Sequence, residues 1–542
     1  MKNQVKLRYK ILNRGIDKNH IFIKMIVYFD NKNGLKIENT RFYIDDDSYI
    51  DCKLHESKGV MPRTKRMQTV RIFSFDLSEL LATGSRINGT LRVVTDIEGQ
   101  EVIYYIKEKK KRNSRNNKFY YLPECGVFKD GFAVFFRHSY NAALVSVKRK
   151  MEEIEYTKFF RFIESKPVSM LLYCLGNIRT ALRKKQINIY YEKFCSKAEE
   201  GTFELFQLSQ QSRNSKNYFI IDENSSDYQR IINEPNVVRR FSFKYYWLIY
   251  GADNFISTET PDGHLNVLRS TNYYMMKKIY KGKFVFLQHG VTYMKRHAKT
   301  SSFLKGKAGE PDLMAVGSIK EKAICMEMMN LDDSVFMITG LPIYSLVNYK
   351  HINQESEDYV MVMLTWKPYE EHLYDFRQSE YYENITKIAK VLEKYISREK
   401  IIVVGHPKIN KLLESSELGI KLWKKPISEA LSVSKLLITD YSSVCYNTFY
   451  QGGGVIFYQP DLERYEREVG PLIPKDNEYI GHRVFGIKEL ETLIEQTISN
   501  GKIDLSEVRN DEFEKIHLTI NSFNDGKNIE RIYKELSDHK IV

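Results

Sequence analysis

The sequence predicts an α/β protein in which two Rossmann-like domains face a cleft, with an additional β-rich domain at the N-terminus. The chain has 542 residues, more than a single hydrophobic core usually holds. Short β-like apolar runs fill residues 4–110, and from residue 217 onward such runs alternate with helical segments, as in a parallel sheet covered by helices. We therefore expect domains at 1–115, 116–345 and 346–542.

The N-terminal region has the pattern of short strands separated by turns. Asn88-Gly89 is one of the predicted turns. Residues 107–118, KEKKKRNSRNNK, are nearly free of apolar side chains, which indicates a solvated linker or hairpin end. The predicted strands include the runs 21–28, 41–44, 70–73 and 91–94.

The stretch from about 145 to 215 is predicted to be helical. Apolar residues recur three and four positions apart in 148–164 and 170–183. The second helix ends in a basic cluster, Arg179, Arg183, Lys184 and Lys185. Such a cluster would rest on a membrane surface carrying anionic lipid, and a solvated helix end is the alternative interpretation.

Two series of buried strands follow, which predicts two Rossmann-like units in tandem. The first series contains the runs 218–221, 284–287 and 336–339. The second contains the runs 359–364, 401–404, 436–439 and 455–458.

The composition limits the classes of partner. Lys and Arg number 83 against 69 Asp and Glu, a net charge of +14, so the surface should attract anions. No zinc-finger spacing or aromatic RNA-binding motif is present, and we expect no nucleic-acid partner. The six cysteines are scattered without a CxxC pair, which indicates a reduced compartment.

The sequence also predicts where the protein works. The N-terminus is polar and basic, without the apolar core of a secretory signal. No apolar run approaches the roughly 20 residues that cross a bilayer. We expect a cytoplasmic protein attached peripherally to the cytoplasmic face of the inner membrane.

Chemistry is expected where strands end, because ligands of open parallel sheets bind beyond the carboxyl ends of the strands. His289 follows the run 284–287 and precedes Gly290, with Lys295 and Arg296 close behind. Histidine is the natural base at neutral pH, so His289 is a candidate catalyst. A purely structural histidine is the alternative.

A second strand end predicts a phosphate site. The run 436–439 leads through Asp440 and Tyr441 to Ser442 and Ser443, just before a predicted helix at 444–450. Free N–H groups and two hydroxyls at a helix start favour a phosphate, whereas an N-cap role for the serines fits the residues equally well.

These residues resemble a known family. Residues 436–466, LLITDYSSVCYNTFYQGGGVIFYQPDLERYE, are similar to the pattern of the CDP-glycerol glycerophosphotransferases, which prime and polymerise teichoic acids and have the GT-B fold. The resemblance covers roughly residues 215–500 and includes Thr365-Trp366 and the turn Gly340-Leu341-Pro342. The motif at 289–295 reads HGVTYMK where the family has a form close to HGTPxK, so the acceptor and the polyol stay open.

The resemblance implies a role for each candidate residue. His289 would be the general base on an acceptor hydroxyl, and Lys295 and Arg296 would supply charge for the acceptor or the phosphate. The transferred group would be glycerol phosphate or another polyol phosphate, moved from CDP-glycerol or CDP-ribitol to a lipid-linked teichoic-acid-like or capsular polymer with release of CMP. The donor diphosphate would be bound by His406, Pro407, Thr365, Thr439, Asp440, Ser442 and Ser443.

Cofactors and alternatives complete the prediction. The acidic residues near the motifs lack metal-ligand spacing, so no metal site and no required cofactor are expected, and Mg²⁺ would enter only with the donor diphosphate. One alternative is a GT-B glycosyltransferase that uses a nucleotide sugar in surface polysaccharide synthesis. The other is a basic nucleic-acid-binding or scaffold protein. The oligomeric state is left open.

Overall fold

A computed structural model describes most of the chain and divides it into two compact units. One unit comprises residues 1–178 and 266–281, and the other comprises 179–265 and 282–542. The described residues are 5–17, 20–31, 34–43, 49–50, 55–60, 67–76, 88–106, 125–129, 132–138, 144–150, 153–261, 265, 273–296, 303–307, 309–370, 376–405, 410, 413 and 422–542.

The N-terminal unit contains three antiparallel four-stranded sheets. Their strand orders are β1-β2-β6-β5, β4-β3-β8-β9 and β10-β11-β12-β7. The strands are β1 Val5–Asp17, β2 His20–Asn31, β3 Ile37–Tyr43, β4 Tyr49–Ile50, β5 His55–Val60, β6 Met67–Asp76, β7 Asn88–Thr90, β8 Arg92–Ile97, β9 Gln100–Tyr105, β10 Cys125–Lys129, β11 Phe132–His138 and β12 Leu144–Lys150.

Part of the predicted helix at 148–164 is wrong, and so is one predicted turn. Strand β12 continues to Lys150, because Val145 and Val147 alternate with polar neighbours at the period of a strand. A 3-10 turn follows at Glu153–Tyr156, and the first α-helix begins only at Lys158. Asn88-Gly89 lies in β7, which pairs with β12. The predicted linker at 107–118 lies outside the described residues.

The second unit begins with a seven-stranded parallel sheet in the order β15-β14-β13-β16-β17-β18-β19. The chain first builds outward from β13 to β15 and then restarts on the other side of β13, so β13 and β16 form the topological switch point. The strands are β13 Gln186–Tyr191, β14 Ser215–Ile221, β15 Val237–Arg239, β16 Asn254–Ser257, β17 Lys283–Phe286, β18 Leu313–Val316 and β19 Phe336–Ile338.

A second parallel sheet follows in the order β21-β20-β22-β23-β24. Its switch point lies between β20 and β22, and the small hairpin β25-β26 stands apart from it. The strands are β20 Tyr359–Met363, β21 Ile401–Val403, β22 Ser434–Thr439, β23 Gly454–Tyr458, β24 His482–Val484, β25 Ile498–Ser499 and β26 Lys502–Ile503.

Helices connect these strands, and several begin at a serine that caps the first turn, as Ser318 does for Glu321 N at 3.0 Å. Short 3-10 turns join others, for example Pro342–Ser345. The helices are α1 Lys158–Ile163, α2 Lys166–Leu182, α3 Thr202–Ser209, α4 Tyr228–Ile231, α5 Phe243–Gly251, α6 Tyr273–Ile279, α7 Ile319–Met329, α8 Glu380–Leu392, α9 Ile427–Val433, α10 Val444–Gln451, α11 Leu462–Val469, α12 Ile487–Thr497, α13 Leu505–Val508, α14 Asp511–Ile520 and α15 Asn528–Asp538.

One buried apolar cluster joins the two parallel sheets and includes Val285 from the first sheet and Phe457 from the second. The last helix then returns to the first sheet. Asn528 Nδ2 donates to Leu341 O at 2.9 Å, and Asn188 Nδ2 donates to Ile541 O at 2.8 Å. Two parallel sheets with Rossmann-like order and an N-terminal β-rich region confirm the predicted fold class, while the proposed boundaries at 115/116 and 345/346 stay predictions.

Candidate functional site

The loop after β17 carries His289 and is held in place by one buried carboxylate. Gln288 has left-handed backbone, with φ 59°, and its side chain is buried. It donates from Nε2 to Ala315 O at 2.7 Å and to Glu321 Oε1 at 3.2 Å. Glu321 also accepts from Thr292 N at 2.7 Å, although burial raises its pKa. The carboxylate therefore fixes both ends of the loop that presents His289.

A carbonyl oxygen orients the imidazole of His289. Its Nδ1 lies 3.3 Å from Thr258 O, just beyond the carboxyl end of β16. A carbonyl oxygen only accepts hydrogen bonds, so in the neutral ring Nδ1 carries the proton and Nε2 keeps its lone pair. The side chain is exposed. The imidazole is thus in the tautomer that can accept a proton from a nearby hydroxyl at Nε2.

The support behind His289 continues into the first switch point. Thr258 Oγ1 donates to Glu200 Oε2 at 2.5 Å, and Lys193 Nζ lies 2.7 Å from Glu200 Oε1. Lys193, Phe194 and Cys195 have φ values of 24°, 57° and 60°, so three successive side-chain-bearing residues occupy the left-handed region. Strained backbone of this kind clusters at functional sites.

A buried ion network lies at the carboxyl ends of β20 and β22. The Lys367 side chain is 1% exposed, and its Nζ lies 2.9 Å from Asp440 Oδ2 and 3.0 Å from Asp461 Oδ2. Asp440 Oδ1 also accepts from Thr365 N at 2.8 Å. The network therefore ties together the loops that follow the two strands of the second switch point.

Aromatic side chains enclose this network. The hydroxyls of Tyr441 and Tyr369 donate to Asp461 at 2.8 and 2.9 Å. Lys367 Nζ lies 4.2 Å from the Tyr441 ring centre, and that ring stacks on Tyr465 at 3.8 Å. Burial acts to raise the pKa of Asp461, but Lys367 and the hydrogen bonds outweigh it and the pKa is lowered. Asp461 is therefore a buried anion at neutral pH.

Ser442 and Ser443 stand at the start of α10. Ser443 is the N-cap residue, with φ −68°, and its side chain makes no capping hydrogen bond. Ser442 Oγ accepts from Val444 N at a long 3.4 Å. The geometry therefore leaves the Ser443 hydroxyl available for a ligand, next to the N–H groups of a helix start that favour an anion.

A cavity of about 370 Å³ brings the loops of the two sheets together. His289, Lys295 and Arg296 line it from the first sheet, and Ser442 and Ser443 line it from the second. A base, two cations and a helix start thus face the same space. That combination can bind a phosphate and deprotonate a hydroxyl beside it.

The contacts of the two cations place positive charge at this cavity. Lys295 Nζ donates to Thr365 Oγ1 at 3.3 Å, and Arg296 forms a 3.7 Å contact with the exposed Glu327. Removal of water from the Lys295 ammonium lowers its pKa; Asp440 opposes this effect and Lys367 adds to it. A Cβ on Gly290 would lie 3.6 Å from Ser443 Oγ, so the two loops nearly touch.

Residues 176–538 match the profile of the CDP-glycerol:poly(glycerophosphate) glycerophosphotransferase family. The chain belongs to this family. The family predicted from the sequence is therefore confirmed.

Two known proteins resemble this glycerophosphotransferase family member, one in sequence and one in fold. The minor teichoic acid biosynthesis protein GgaB of Bacillus subtilis (strain 168) is 22% identical over 502 residues, which is 82% of this chain and 52% of GgaB. The chain thus spans about half the length of this curated relative. A structure of the wall teichoic acid polymerase TagF soaked with CDPG matches with a TM-score of 0.52 and 16% identity, over 70% of this chain and 95% of that one. Another TagF structure matches with a TM-score of 0.50 and 17% identity, over 72% and 99%.

The predicted site residues differ in their distance from the cavity. His289, Lys295, Arg296, Ser442 and Ser443 line the cavity, and their roles stay predictions. Thr365 lies next to the cavity, because its Oγ1 accepts a hydrogen bond from Lys295 Nζ.

The other donor-site candidates lie deeper or outside the description. Thr439 and Asp440 are buried, and Thr439 Oγ1 donates to Met363 O at 2.6 Å, so both support the loop from below. His406 and Pro407 lie outside the described residues.

Sequence reasoning missed the residues that hold the site together. Lys367 and Asp461 pair across 94 positions, a contact that no local pattern predicts. Glu321 carried a usable signal, because Ser318 and Glu321 have the spacing of a helix capping box. Thr258 carried none.

No group of three or more His, Cys, Asp or Glu side chains in the described part of the chain is arranged to hold a metal ion, and the expectation about Mg²⁺ stays a prediction. Within the same ranges, no helix is long and apolar enough to span a membrane.

Proposed function

We propose that this protein transfers glycerol phosphate, or another polyol phosphate, from a CDP-polyol to a hydroxyl of a lipid-linked teichoic-acid-like or capsular polymer and releases CMP. The observation that carries the proposal is the 370 Å³ cavity in which His289 faces Ser442 and Ser443. The family description, which names CDP-glycerol and poly(glycerophosphate), supports the choice of donor and product.

The donor diphosphate would bind at the start of α10. The Ser443 hydroxyl would donate to the phosphate oxygens, and the positive end of the helix dipole would favour their charge. Lys295 and Arg296 would neutralise the charge of the diphosphate from the opposite wall of the cavity. Mg²⁺, if the reaction needs it, would arrive with the donor and add positive charge.

The acceptor hydroxyl would be activated by His289. Nε2 takes the hydroxyl proton as the oxygen attacks the β-phosphorus of the donor. A new P–O bond forms, the bond from this phosphorus to the bridging oxygen breaks, and CMP leaves with the electron pair. The proton on His289 is then lost to solvent, which restores the base.

A lipid-linked acceptor would place this reaction at a membrane. We expect the protein to attach peripherally to the cytoplasmic face. Helix α2 supports this, because Leu171, Leu175 and Ile178 recur on one face and are 57%, 39% and 55% exposed. An apolar face of this kind fits the interfacial region of a bilayer.

The decisive experiment incubates the protein with CDP-glycerol, CDP-ribitol or a UDP-sugar and a lipid-linked acceptor, and identifies the nucleotide released. CMP release that depends on both the acceptor and His289 is the expected result. UDP release would instead support a GT-B glycosyltransferase, and turnover that persists in His289→Ala would contradict the proposed base.

A further inference from the structure

A second cavity, of about 600 Å³, lies at the opposite end of the first parallel sheet. Most of its residues precede β13 or lie in the first half of β13 or β14, and the others lie in α5, whereas His289 follows the carboxyl end of β17. A six-residue strand such as β13 spans about 20 Å, so this cavity is separate from the candidate active site. Six cationic side chains line it: Arg179, Arg183, Lys184, Lys185, Lys216 and Lys244.

The positive charge of this second cavity is largely uncompensated. Asp253 pairs with Arg183 Nη2 and also accepts from Ile187 N. Within the described ranges, no carboxylate forms an ion pair with Lys184, Lys185, Lys216 or Lys244. Arg183 Nη1 is buried and has no hydrogen-bond partner among the described residues. A buried donor of this kind needs an acceptor, and an anion in the cavity would supply it.

The cavity also has an apolar part. The half-buried Trp247 and the buried Leu248 line it, and the Arg179 guanidinium lies 4.7 Å from the Trp247 ring centre. Two exposed apolar side chains neighbour the cations in sequence: Leu182 is 80% exposed and Phe243 is 59% exposed. Cations beside exposed apolar side chains match an amphiphile, whose phosphate and hydrocarbon lie next to each other.

We propose that this cavity binds the headgroup phosphate of an anionic phospholipid, with Leu182 and Phe243 in contact with the adjoining hydrocarbon. The inference rests on the peripheral membrane attachment proposed above and gives that attachment a site. A soluble polyanion would use the cations equally well, but it would gain nothing from the exposed leucine and phenylalanine.

Vesicle sedimentation tests the proposal. The full chain is mixed with phosphatidylcholine vesicles, with or without phosphatidylglycerol, and the bound fraction is measured. The double variant Lys184→Gln/Lys185→Gln is expected to bind the phosphatidylglycerol vesicles about 25-fold more weakly, because each lysine near an anionic surface contributes roughly 5-fold. Leu182→Gln is expected to weaken the same binding. The matched control, Lys488→Gln/Lys502→Gln, removes equal charge from exposed positions outside the cavity.

Two results would overturn the proposal. An equal loss in both double variants would overturn the proposal, since only net charge would then matter. The proposal would also be overturned if the Lys184→Gln/Lys185→Gln variant kept vesicle binding but lost binding of a soluble glycerophosphodiester oligomer.

The proposed function and the lipid site fail separately. The Lys184→Gln/Lys185→Gln protein should release CMP normally with a short water-soluble acceptor, while His289→Ala should still sediment with the vesicles. Loss of vesicle binding in His289→Ala would count against a separate lipid site.

Discussion

The two switch points of the second unit differ in how deeply their functional side chains are buried and how many contacts hold them. Next to the first, in the loop after β17, His289 is exposed and is held by one carbonyl hydrogen bond of 3.3 Å. At the second, Lys367 and Asp440 are almost completely buried and are bound to each other and to their neighbours. A group that moves protons needs access and an empty nitrogen, whereas a loop that positions a phosphate needs rigidity. The contrast predicts that mutations on the two sides fail in different ways.

The largest expected effect is on catalysis and tests the exposed side. His289→Ala should lower kcat about 100- to 10,000-fold, the usual contribution of a general base, and leave the Kd for CDP-glycerol nearly unchanged. Stopped assays of CMP release and calorimetric titration measure the two quantities. His351→Ala is the control, because His351 is also exposed and also has Nδ1 against a carbonyl oxygen, at 2.9 Å from Asn348 O. A parallel loss of donor affinity in His289→Ala would erase the difference between the two sides.

The next effect is on stability and tests the buried side. Lys367→Met should reduce the free energy of unfolding by about 3–5 kcal/mol, because it leaves two buried carboxylates without their cation. It should also weaken donor binding, since Asp440 would no longer hold Thr365 in place. Chemical denaturation and calorimetry measure both changes.

A second buried lysine provides the control for this variant. Lys435 is 1% exposed and pairs with Asp358 at 2.9 Å, at the amino end of β22. Lys435→Met should destabilise the protein while CDP-glycerol affinity is retained. If both variants lost affinity equally, general destabilisation and not the position of the network would explain the result.

A smaller effect concerns acid. His517 in α14 is buried against Phe449 of α10, at 5.0 Å between ring centres. Burial and the charge of Arg509 lower its pKa from 6.5 to about 3. The unfolded chain therefore binds a proton more readily than the folded protein, and stability is present above pH 6.5 and lost as the pH falls toward 3.

The size of this loss can be measured. His517 alone should reduce the free energy of unfolding by about 1.4 kcal/mol per pH unit, or roughly 2 kcal/mol between pH 6.5 and pH 5. Urea denaturation at several pH values should show this slope in the wild type and a shallower one in His517→Leu. The exposed His539→Ala serves as a control that keeps the wild-type slope. An unchanged slope in His517→Leu would mean that other groups control the acid response.

The smallest effect sharpens the donor side. Ser443→Ala should raise the Kd for CDP-glycerol about 10-fold, the loss of one hydrogen bond to a charged oxygen, with kcat changed less than affinity. Ser432→Ala removes an exposed hydroxyl from α9, the helix that precedes β22, and should have no effect. Unaltered donor affinity in Ser443→Ala would favour the simple capping role.

Sequence patterns predicted the parts of the fold that local residues determine. The apolar runs at 436–439 and 455–458 became β22 and β23, because continuous apolar stretches of this length have few alternatives to a buried parallel strand. The helix expected from residue 148 failed, because alternation at Val145 and Val147 and pairing with β11 decided the conformation of that segment. Tertiary pairing of this kind is invisible in a short window.

The candidate site was predictable in its exposed residues and not in its support. His289 and Ser443 sit where strands end, and that rule needs only the sequence. The support depends on which strands become neighbours, and the order of strands in a sheet is set by the whole chain. It consists of the carbonyl of Thr258, the Lys367 network and the strained turn at Lys193.

The return of α15 to the first sheet also has a consequence for how the protein is made. Asn528 completes contacts with Leu341, 187 residues earlier in the chain. At synthesis rates of about 5–20 residues per second, roughly 10–40 seconds separate the emergence of the two from the ribosome. During that interval the first sheet lacks its last covering helix, and apolar residues such as Leu341 are not yet covered by it. Chaperones that bind exposed apolar surface therefore have their best opportunity while the second sheet is being translated.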